Sequence, residues 1–500
     1  MSTEVRRVVI AGGGTAGWIA AAALSRQLGS LLEITLIESE QIGIVGVGES
    51  TVPPMRVFNK LLGIDEQEFM RACAATFKLG IWFENWRKPG DRYIHPFGRH
   101  GKPTWLCEFH HFWLRARELG FSAPLGEYCC EWAAANAGKF ATSPQSEINF
   151  AYHIDAALYA RFLRGLAERK GVRRIEGKIS EVRKAADTGY IESLVLESGT
   201  VVAGDFFIDC TGFRGLLIEQ ALHTGFEDWS HWLPCDRAVA VQAESLKPPD
   251  PYTSAIAHEA GWRWVIPLQH RVGSGVVYCS RYMSDETARD KLVLSIQDKA
   301  IRPPFFLRFQ PGRRRRAWNR NCVAFGLASG FIEPLESTSI HMIVSGVTRF
   351  MQLFPFDGVR QSLVDRYNEE ARAEIEHIRD FVVLHYHATE RDDTPFWRHC
   401  RSMEIPDSLA RRMRLFQEAA HAWQADGELF RVDSWVAVML GQGIVPKHYH
   451  PAARTLSDAE LGNVMNSLRA QVSRTVAELP SHDAFVREYC RANSDVWERR

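Results

Sequence analysis

The stretch Gly12-Gly13-Gly14-Thr15-Ala16-Gly17 has the residues and spacing of a turn that grips a pyrophosphate. Gly12 permits a tight turn, Gly14 lets backbone approach the phosphates, and Gly17 allows close packing of the next helix. Ala16 opens that helix, whose positive N-terminus attracts phosphate charge. Glu38 follows 21 residues after Gly17, where an acid accepts the hydroxyls of a ribose. An acid at this place favours NAD or FAD over NADP. The bland alternative is a glycine-rich turn without a ligand. A strand before the turn, a helix after it and Glu38 downstream all weigh against that.

Two later segments favour FAD over NAD. Asp205-Phe206-Phe207-Ile208-Asp209-Cys210-Thr211-Gly212 reads as a strand ending in Asp-x-Thr-Gly, the return to the cofactor in two-dinucleotide flavoproteins. Phe325 to Thr338 reads as a strand, small residues and then a helix start, and a helix N-terminus near a flavin ring stabilises negative charge on it. A rarer stretch is Gly261-Trp262-Arg263-Trp264-Val265-Ile266-Pro267. For its tryptophans, aromatic core packing is the reading from residue type alone. His385-Tyr386-His387 and His448-Tyr449-His450 lack a third nearby ligand, so structural histidines are expected and no metal site.

The elements that must position these residues start with a β-α-β unit: Val8–Ala11, a helix from Ala16 to Leu28, then Ile34–Glu38. The Gly/Val segment Ile44 to Thr51 reads as a ligand-facing loop. Residues 70 to 135 read as loop-rich and crowded with aromatics. A helical pattern follows over 151–168, then strands near 175–183, 190–196 and 205–209. Beyond about 345 the pattern is mostly helical, as over Leu363 to Thr389 and Asp407 to Ala425. The predicted fold class is α/β (α+β): a Rossmann-like FAD-binding domain of two-dinucleotide type with a mainly helical C-terminal region packed on it. The predicted division is a core over 1–345, with inserted substrate-site segments about 70–150, and a substrate-covering region over 346–500.

Composition excludes several classes. The 500 residues carry 60 basic and 60 acidic side chains, a balance unlike that of nucleic-acid binders. The one basic block, Arg313 to Arg316, reads as a solvated loop. No apolar stretch reaches membrane-spanning length, and the N-terminus does not read as a signal peptide. Ten scattered cysteines without Cys-x-x-Cys predict free thiols in a reducing cytoplasm.

With these marks the chain resembles the flavin-dependent halogenases, specifically the tryptophan-halogenase-like family, over nearly its whole length. The resemblance rests on Gly12 to Gly17, Gly46-Val47-Gly48-Glu49-Ser50-Thr51-Val52-Pro53 and Thr76-Phe77-Lys78. It rests further on Trp262-x-Trp264-x-Ile266-Pro267 and Pro334-Leu335-Glu336-Ser337-Thr338. It implies FAD contacts at Gly12, Gly14, Thr15, Ala16, Gly17, Glu38, Gly48, Glu49, Asp209 and Ile340. It also implies a separate reductase that supplies FADH2, and oxidation of bound chloride or bromide to hypohalous acid. Lys78 matches the family's catalytic lysine and Glu336 its second essential residue. Thr338 and Ser339 match the halide-binding stretch. Trp262, Trp264, Ile266, Pro267 and Ser337 match the tunnel that separates flavin from substrate.

The chain departs from that pattern in three places. Ser339 replaces a usual glycine and His341 a usual aromatic. Ser434 to Ile444 lacks the Tyr-Tyr-acid run that holds the amino-acid end of free tryptophan. The resemblance therefore points to the open-pocket subgroup acting on indole or simple indole derivatives, with bromide favoured. The implied partners are the reductase and a small aromatic, with no nucleic acid and no membrane, in a monomer or homodimer. An aromatic monooxygenase and a non-catalytic flavin-binding protein are the competing readings; the combination of Lys78, Glu336 and the tryptophan motif argues against both.

Overall fold

The computed structural model describes residues 4–41, 48–143 and 148–495. Its first layer is a six-stranded sheet in the order Trp318–Asn319, Cys322–Ala324, Phe206–Asp209, Arg7–Ala11, Glu33–Glu38, Arg173–Glu176. All neighbours are parallel except the Trp318–Asn319 hairpin strand. Arg7–Ala11 is central, and four of its five residues are buried, as a strand covered on both faces requires. The helix Thr15–Leu28 leaves it directly and packs against the helices Ala156–Arg169 and Ser339–Gln352.

The second layer is a seven-stranded sheet in the order Phe305–Arg308, Arg237–Ala243, Val272–Tyr278, Gly261–Pro267, Thr253–His258, Gly80–Glu84, Arg92–Pro96. Only Thr253–His258 and Gly80–Glu84 run parallel. A small sheet bridges the layers: Ala151–Ile154 takes Glu49–Ser50 on one edge and Thr76–Lys78 on the other. The large apolar core beneath the first sheet draws residues from Val5 to Cys490, and C-terminal Phe485 and Tyr489 pack on Phe77. The helix Ser339–Gln352 runs through residue 345 without a break.

Several sequence expectations change. Residues 70 to 135 are not loop-rich: they hold three strands and the helices Phe109–Glu118 and Cys130–Asn136. Most of their aromatics are buried, although Trp105 is 91% exposed, and short buried apolar runs show no readable period. Ala151–Ile154 is a fully buried strand rather than the start of the helix Ala156–Arg169. The helix from Asp407 stops at Ala419, because Ala420 turns left-handed at φ 56°. Arg313 and Arg314 are not solvated. Arg313 pairs with Glu227 and Glu376, and Arg314 with Glu219, all acids far away in sequence. Of the Gly/Val segment, Ile44 to Val47 lies outside the described residues, and Glu49–Ser50 is a strand.

The glycine turn has the tight turn read at Gly12 and the close approach read at Gly17. Gly12 has φ +107°. A Cβ on Gly14 would meet nothing within 4 Å, leaving room for a ligand. A Cβ on Gly17 would fall 1.9 Å from the Gly12 carbonyl oxygen. Gly17→Ala is therefore expected to destabilise the fold by about 1–3 kcal/mol, the usual cost of overpacking. A lowered midpoint in denaturant unfolding checks it, and an unchanged midpoint contradicts the close approach.

Candidate active site

Lys78 ends a three-residue strand and is fully buried. The backbone beneath it is held by a buried polar chain. The Thr76 hydroxyl donates to the Pro267 carbonyl at 2.6 Å, and His153 Nδ1 lies 3.0 Å from that hydroxyl. His153 Nε2 is 2.9 Å from the Thr253 hydroxyl, which meets Ser50 at 2.8 Å. Burial and the charge of Lys78 push His153 well below its ordinary value, so this histidine is neutral. The Trp262-x-Trp264 strand, the Lys78 strand and the Glu49–Ser50 strand are thereby locked in one register.

The Lys78 ammonium donates to the Ser337 hydroxyl at 2.8 Å and to the Thr51 carbonyl at 3.1 Å. It also lies 5.0 Å from the centre of the Phe97 ring. Two of three N–H bonds are thus committed and one remains. Burial pulls Lys78 down to about 7, although the Glu336 charge works the other way. Ser337 reaches it from a left-handed backbone at φ 62°, which is strained for a residue with a Cβ.

Glu336 precedes Ser337 and is 1% exposed. Its Oε2 accepts from His95 Nδ1 at 2.8 Å and its Oε1 from His385 Nε2 at 2.7 Å. Burial alone would raise this carboxyl. The charge of His95 and the hydrogen bonds from both histidines more than offset that and hold it at about 2. No direct ion pair joins Glu336 to Lys78; each has its own partners.

A cavity of about 1220 Å³ opens onto this region, lined by Val52, Pro53, His95, Phe97, Glu336 and His341 among others. Glu336 reaches its wall. Lys78 does not line it and sits one layer behind, against Phe97. His341 pairs with Glu374 at 3.1 Å. The helix Val432–Gly441 presents Ser434 to the cavity, and Arg431 precedes it. The acids in and before this helix are engaged: Asp433 accepts from the His100 amide at 2.9 Å, and Glu428 pairs with Arg412 at 3.0 Å.

The expected cofactor segments converge on the glycine turn. Glu38 lies against it, since a Cβ on Gly13 would fall 1.7 Å from Glu38 Oε2. The carboxylate also meets Arg174, Arg164 and the Trp18 indole N–H. A Cβ on Gly326 would lie 3.1 Å from that of Ala16, which brings the Phe325–Thr338 segment to the same place. The Asp209 carboxylate is spent locally, accepting from the amides of Thr211, Leu217 and Ile218. Glu49 is half-buried, and desolvation pushes it up to about 7. Thr338 precedes the helix Ser339–Gln352, which has no side-chain cap and no acid in its first turn. Among the described residues its buried hydroxyl has no partner, and Ile340 is buried one turn-position on. Open space at Gly14 and an uncapped helix start are features that fit a dinucleotide and an anion.

Trp262 and Trp264 lie 6.1 Å apart in the core between the sheet and the long helix Gln361–His387. The Trp262 indole donates to Glu333 at 3.3 Å, and burial pushes Glu333 up to about 7. The Trp264 ring covers Gly275, where a Cβ would come within 2.1 Å of it.

The chain matches the family described as tryptophan halogenase over residues 7–458. It belongs to the tryptophan halogenase family. A flavin-dependent halogenase from Xanthomonas campestris superposes with a TM-score of 0.97 at 54% identity, covering 98% of this chain and 99% of that one. One from Brevundimonas sp. BAL3 gives 0.94 at 42%, covering 98% and 100%. The tryptophan 7-halogenase of Lentzea aerocolonigenes is 34% identical over 98% of this chain and 99% of its own. The protein is a flavin-dependent halogenase, an enzyme that uses FADH2 and halide to halogenate an aromatic and depends on a separate flavin reductase.

The structure brings Lys78, Glu336 and Ser337 together, with Thr338 and Ser339 following directly. Sequence reasoning missed His95, and it read His385 as merely structural. Neither stands in a motif that marks it, and their contacts with Glu336 span 241 and 49 residues.

Ser337→Gly removes the hydroxyl while relieving the left-handed backbone. The expected result is a thermal midpoint equal to or above that of the parent, with halogenation slowed about tenfold. A normal rate would remove Ser337 from the support of Lys78.

Proposed function

We propose that this halogenase delivers hypohalous acid through Lys78 to indole or an indole derivative, with Glu336 taking the ring proton. The observation that carries this is the buried pair: a lysine with one uncommitted N–H, and beside it a carboxylate kept ionised by two histidines. Reduced FAD, when bound, supplies with oxygen the two-electron oxidation of halide to hypohalous acid. Thr338 and Ser339 hold the halide at the uncapped helix start, where the amides and the dipole favour an anion. Trp262, Trp264, Ile266 and Pro267 wall the path from there to Lys78 and keep substrate away from the flavin.

At Lys78 the ammonium hydrogen-bonds the oxygen of hypohalous acid, so that the halogen points onward into the cavity. The ring attacks halogen, a C–X bond forms and the O–X bond breaks. The leaving hydroxide takes the Lys78 proton and becomes water. The C–H electron pair returns to the ring, and its proton goes to Glu336. Lys78 and Glu336 then regain their resting protonation through solvent.

The cavity favours an indole without a bound amino-acid end. An ammonium would need a carboxylate, and the acids that line the cavity besides Glu336 already have partners: Glu66 binds Tyr152 and Tyr489, and Glu370 pairs with Arg349 and Arg366. Leaving such charges unpaired in a desolvated site is costly. Bromide is the favoured halide, and the cytoplasm, where free thiols persist, the expected setting.

The test supplies purified enzyme with FAD, a reductase, NADH and either chloride or bromide. Halogenated indole is expected in excess over halogenated tryptophan. Tryptophan converted while indole stays untouched overturns the substrate assignment. A hydroxylated product that does not depend on halide overturns the delivery step. Lys78→Met should cost at least about 100-fold in product while FAD stays bound, as loss of a proton-transferring group does. Because the ammonium is the working form, kcat should fall as pH rises through about 7, where Lys78 titrates. A rate that instead climbs through that range assigns the work to the neutral amine.

A further inference from the structure

We propose that His385, oriented by Tyr93 and Gln442, is a positioning residue that holds the Glu336 carboxylate in the plane and protonation state in which it takes the ring proton. This rests on the base role of Glu336 given above. The geometry is over-determined. His95 and His385 come from two different elements, one on the edge strand Arg92–Pro96, the other in the last turn of the helix Gln361–His387. Each gives an N–H to a different oxygen, at 2.8 and 2.7 Å. The carboxylate therefore cannot rotate, and one lone pair of each oxygen is left over.

His385 is itself held on three sides. Its ring stacks on Phe83 at 4.4 Å and 19°, and Tyr93 stacks beside it on Phe83 at 5.0 Å and 9°. The Tyr93 hydroxyl is 2.8 Å from His385 Nδ1. Gln442 Nε2 donates to that hydroxyl at 3.2 Å and to the His385 carbonyl at 2.9 Å. With the tyrosine oxygen accepting from Gln442, its own proton goes to Nδ1. Nδ1 is thus the acceptor and Nε2 the donor, the tautomer that Glu336 requires. The neutral ring agrees with burial, which pulls His385 below its ordinary value against the pull of Glu336. The titratable groups facing Glu336 are His95, His385, Lys78 and Tyr93.

The sequence made His385 one of two histidines flanking Tyr386, and no family motif named above includes it. The neighbouring His387 is partly exposed and does not approach Glu336. The two therefore serve as an internal contrast.

The test uses the full-length enzyme with FAD, reductase, bromide and indole. It compares His385→Leu, His385→Gln and Tyr93→Phe for kcat, KM, pH profile and thermal midpoint. Gln places an amide N–H close to where His Nε2 sits; Leu does not. His385→Leu should lower kcat about 10- to 100-fold with KM held within about twofold. Its acid limb should move to higher pH, because the carboxylate has lost a donor that opposed its burial. His385→Gln should restore most of kcat and return the acid limb toward the parent's. Tyr93→Phe should shift the limb in the same direction, with a loss of about threefold or more.

A parental kcat and acid limb in either folded His385→Leu or Tyr93→Phe overturns the proposal. So does an equal loss in Leu and Gln variants that tracks the thermal midpoint with no movement of the limb. If Leu fails to fold, the Gln and Tyr93→Phe profiles decide alone. Failure of the base reading is distinct: it shows as full activity in Glu336→Gln, whereas a parent enzyme that leaves indole untouched fails the substrate reading.

Discussion

Burying an ammonium or a carboxylate costs several kcal/mol per ion unless partners compensate it, and this halogenase buries one of each at its centre. A direct Lys78–Glu336 ion pair would satisfy both and disable both. The structure instead gives each charge its own hydrogen bonds: Ser337 and Thr51 for the lysine, His95 and His385 for the carboxylate. Glu336 and Ser337 are adjacent, so one turn of backbone serves both sets. The left-handed conformation of Ser337 is what sends two neighbouring side chains to different partners. Strain of about 1–3 kcal/mol at such a residue persists only where the surroundings over-determine it. Here the Lys78 contact on one side and the His95 and His385 contacts on the other do so.

The larger architecture follows from that requirement. The Lys78 strand has only three residues and could not hold a buried charge by itself. Its pairing with Ala151–Ile154 joins it to Glu49–Ser50. The chain from Pro267 through Thr76, His153 and Thr253 to Ser50 then ties it to the tryptophan strand. Within a buried polar network each member must be satisfied, because an unpaired one is costly at low dielectric. Neutral His153 meets that condition with a hydroxyl on each ring nitrogen. The C-terminal helices are part of the same construction, since His385 and Gln442 both complete the surroundings of Glu336.

What the sequence disclosed depended on how local the governing physics was. The glycine turn was readable because φ, close approach and helix start are set within a few residues, and Gly12 and Gly17 have the predicted geometry. The helix read over Leu363 to Thr389 was placed to within two residues at each end because its period repeats, whereas the one read from Asp407 to Ala425 ends at Ala419. The strands within 70–135 were not, because a three- to five-residue buried strand carries no period. Lys78 stands in no local pattern that marks a buried charge, and only the resemblance singled it out. His95 and His385 are defined by contacts that close over long loops, and no local pattern encodes them. Arg313 and Arg314 went astray for the same reason, since their acids lie elsewhere in the chain.

The division of labour between core and cavity follows from the burial of Lys78 behind Phe97. A cavity of about 1220 Å³ is larger than the usual pocket for a drug-sized ligand. Confinement alone therefore does not fix a small ring in it. Under the proposed delivery through Lys78, selectivity for the oxidant is separate, because Lys78 lies outside the cavity lining. On that reading the substrate need only bring one electron-rich carbon to the wall between Phe97 and Glu336. The segment around the helix Val432–Gly441, whose acids are spent on His100 and Arg412, then changes the range of aromatics admitted without touching the network around Lys78. The proposed delivery sets the halogenated position at the ring edge presented to that wall, and His95 belongs to both systems because it lines the cavity and holds Glu336.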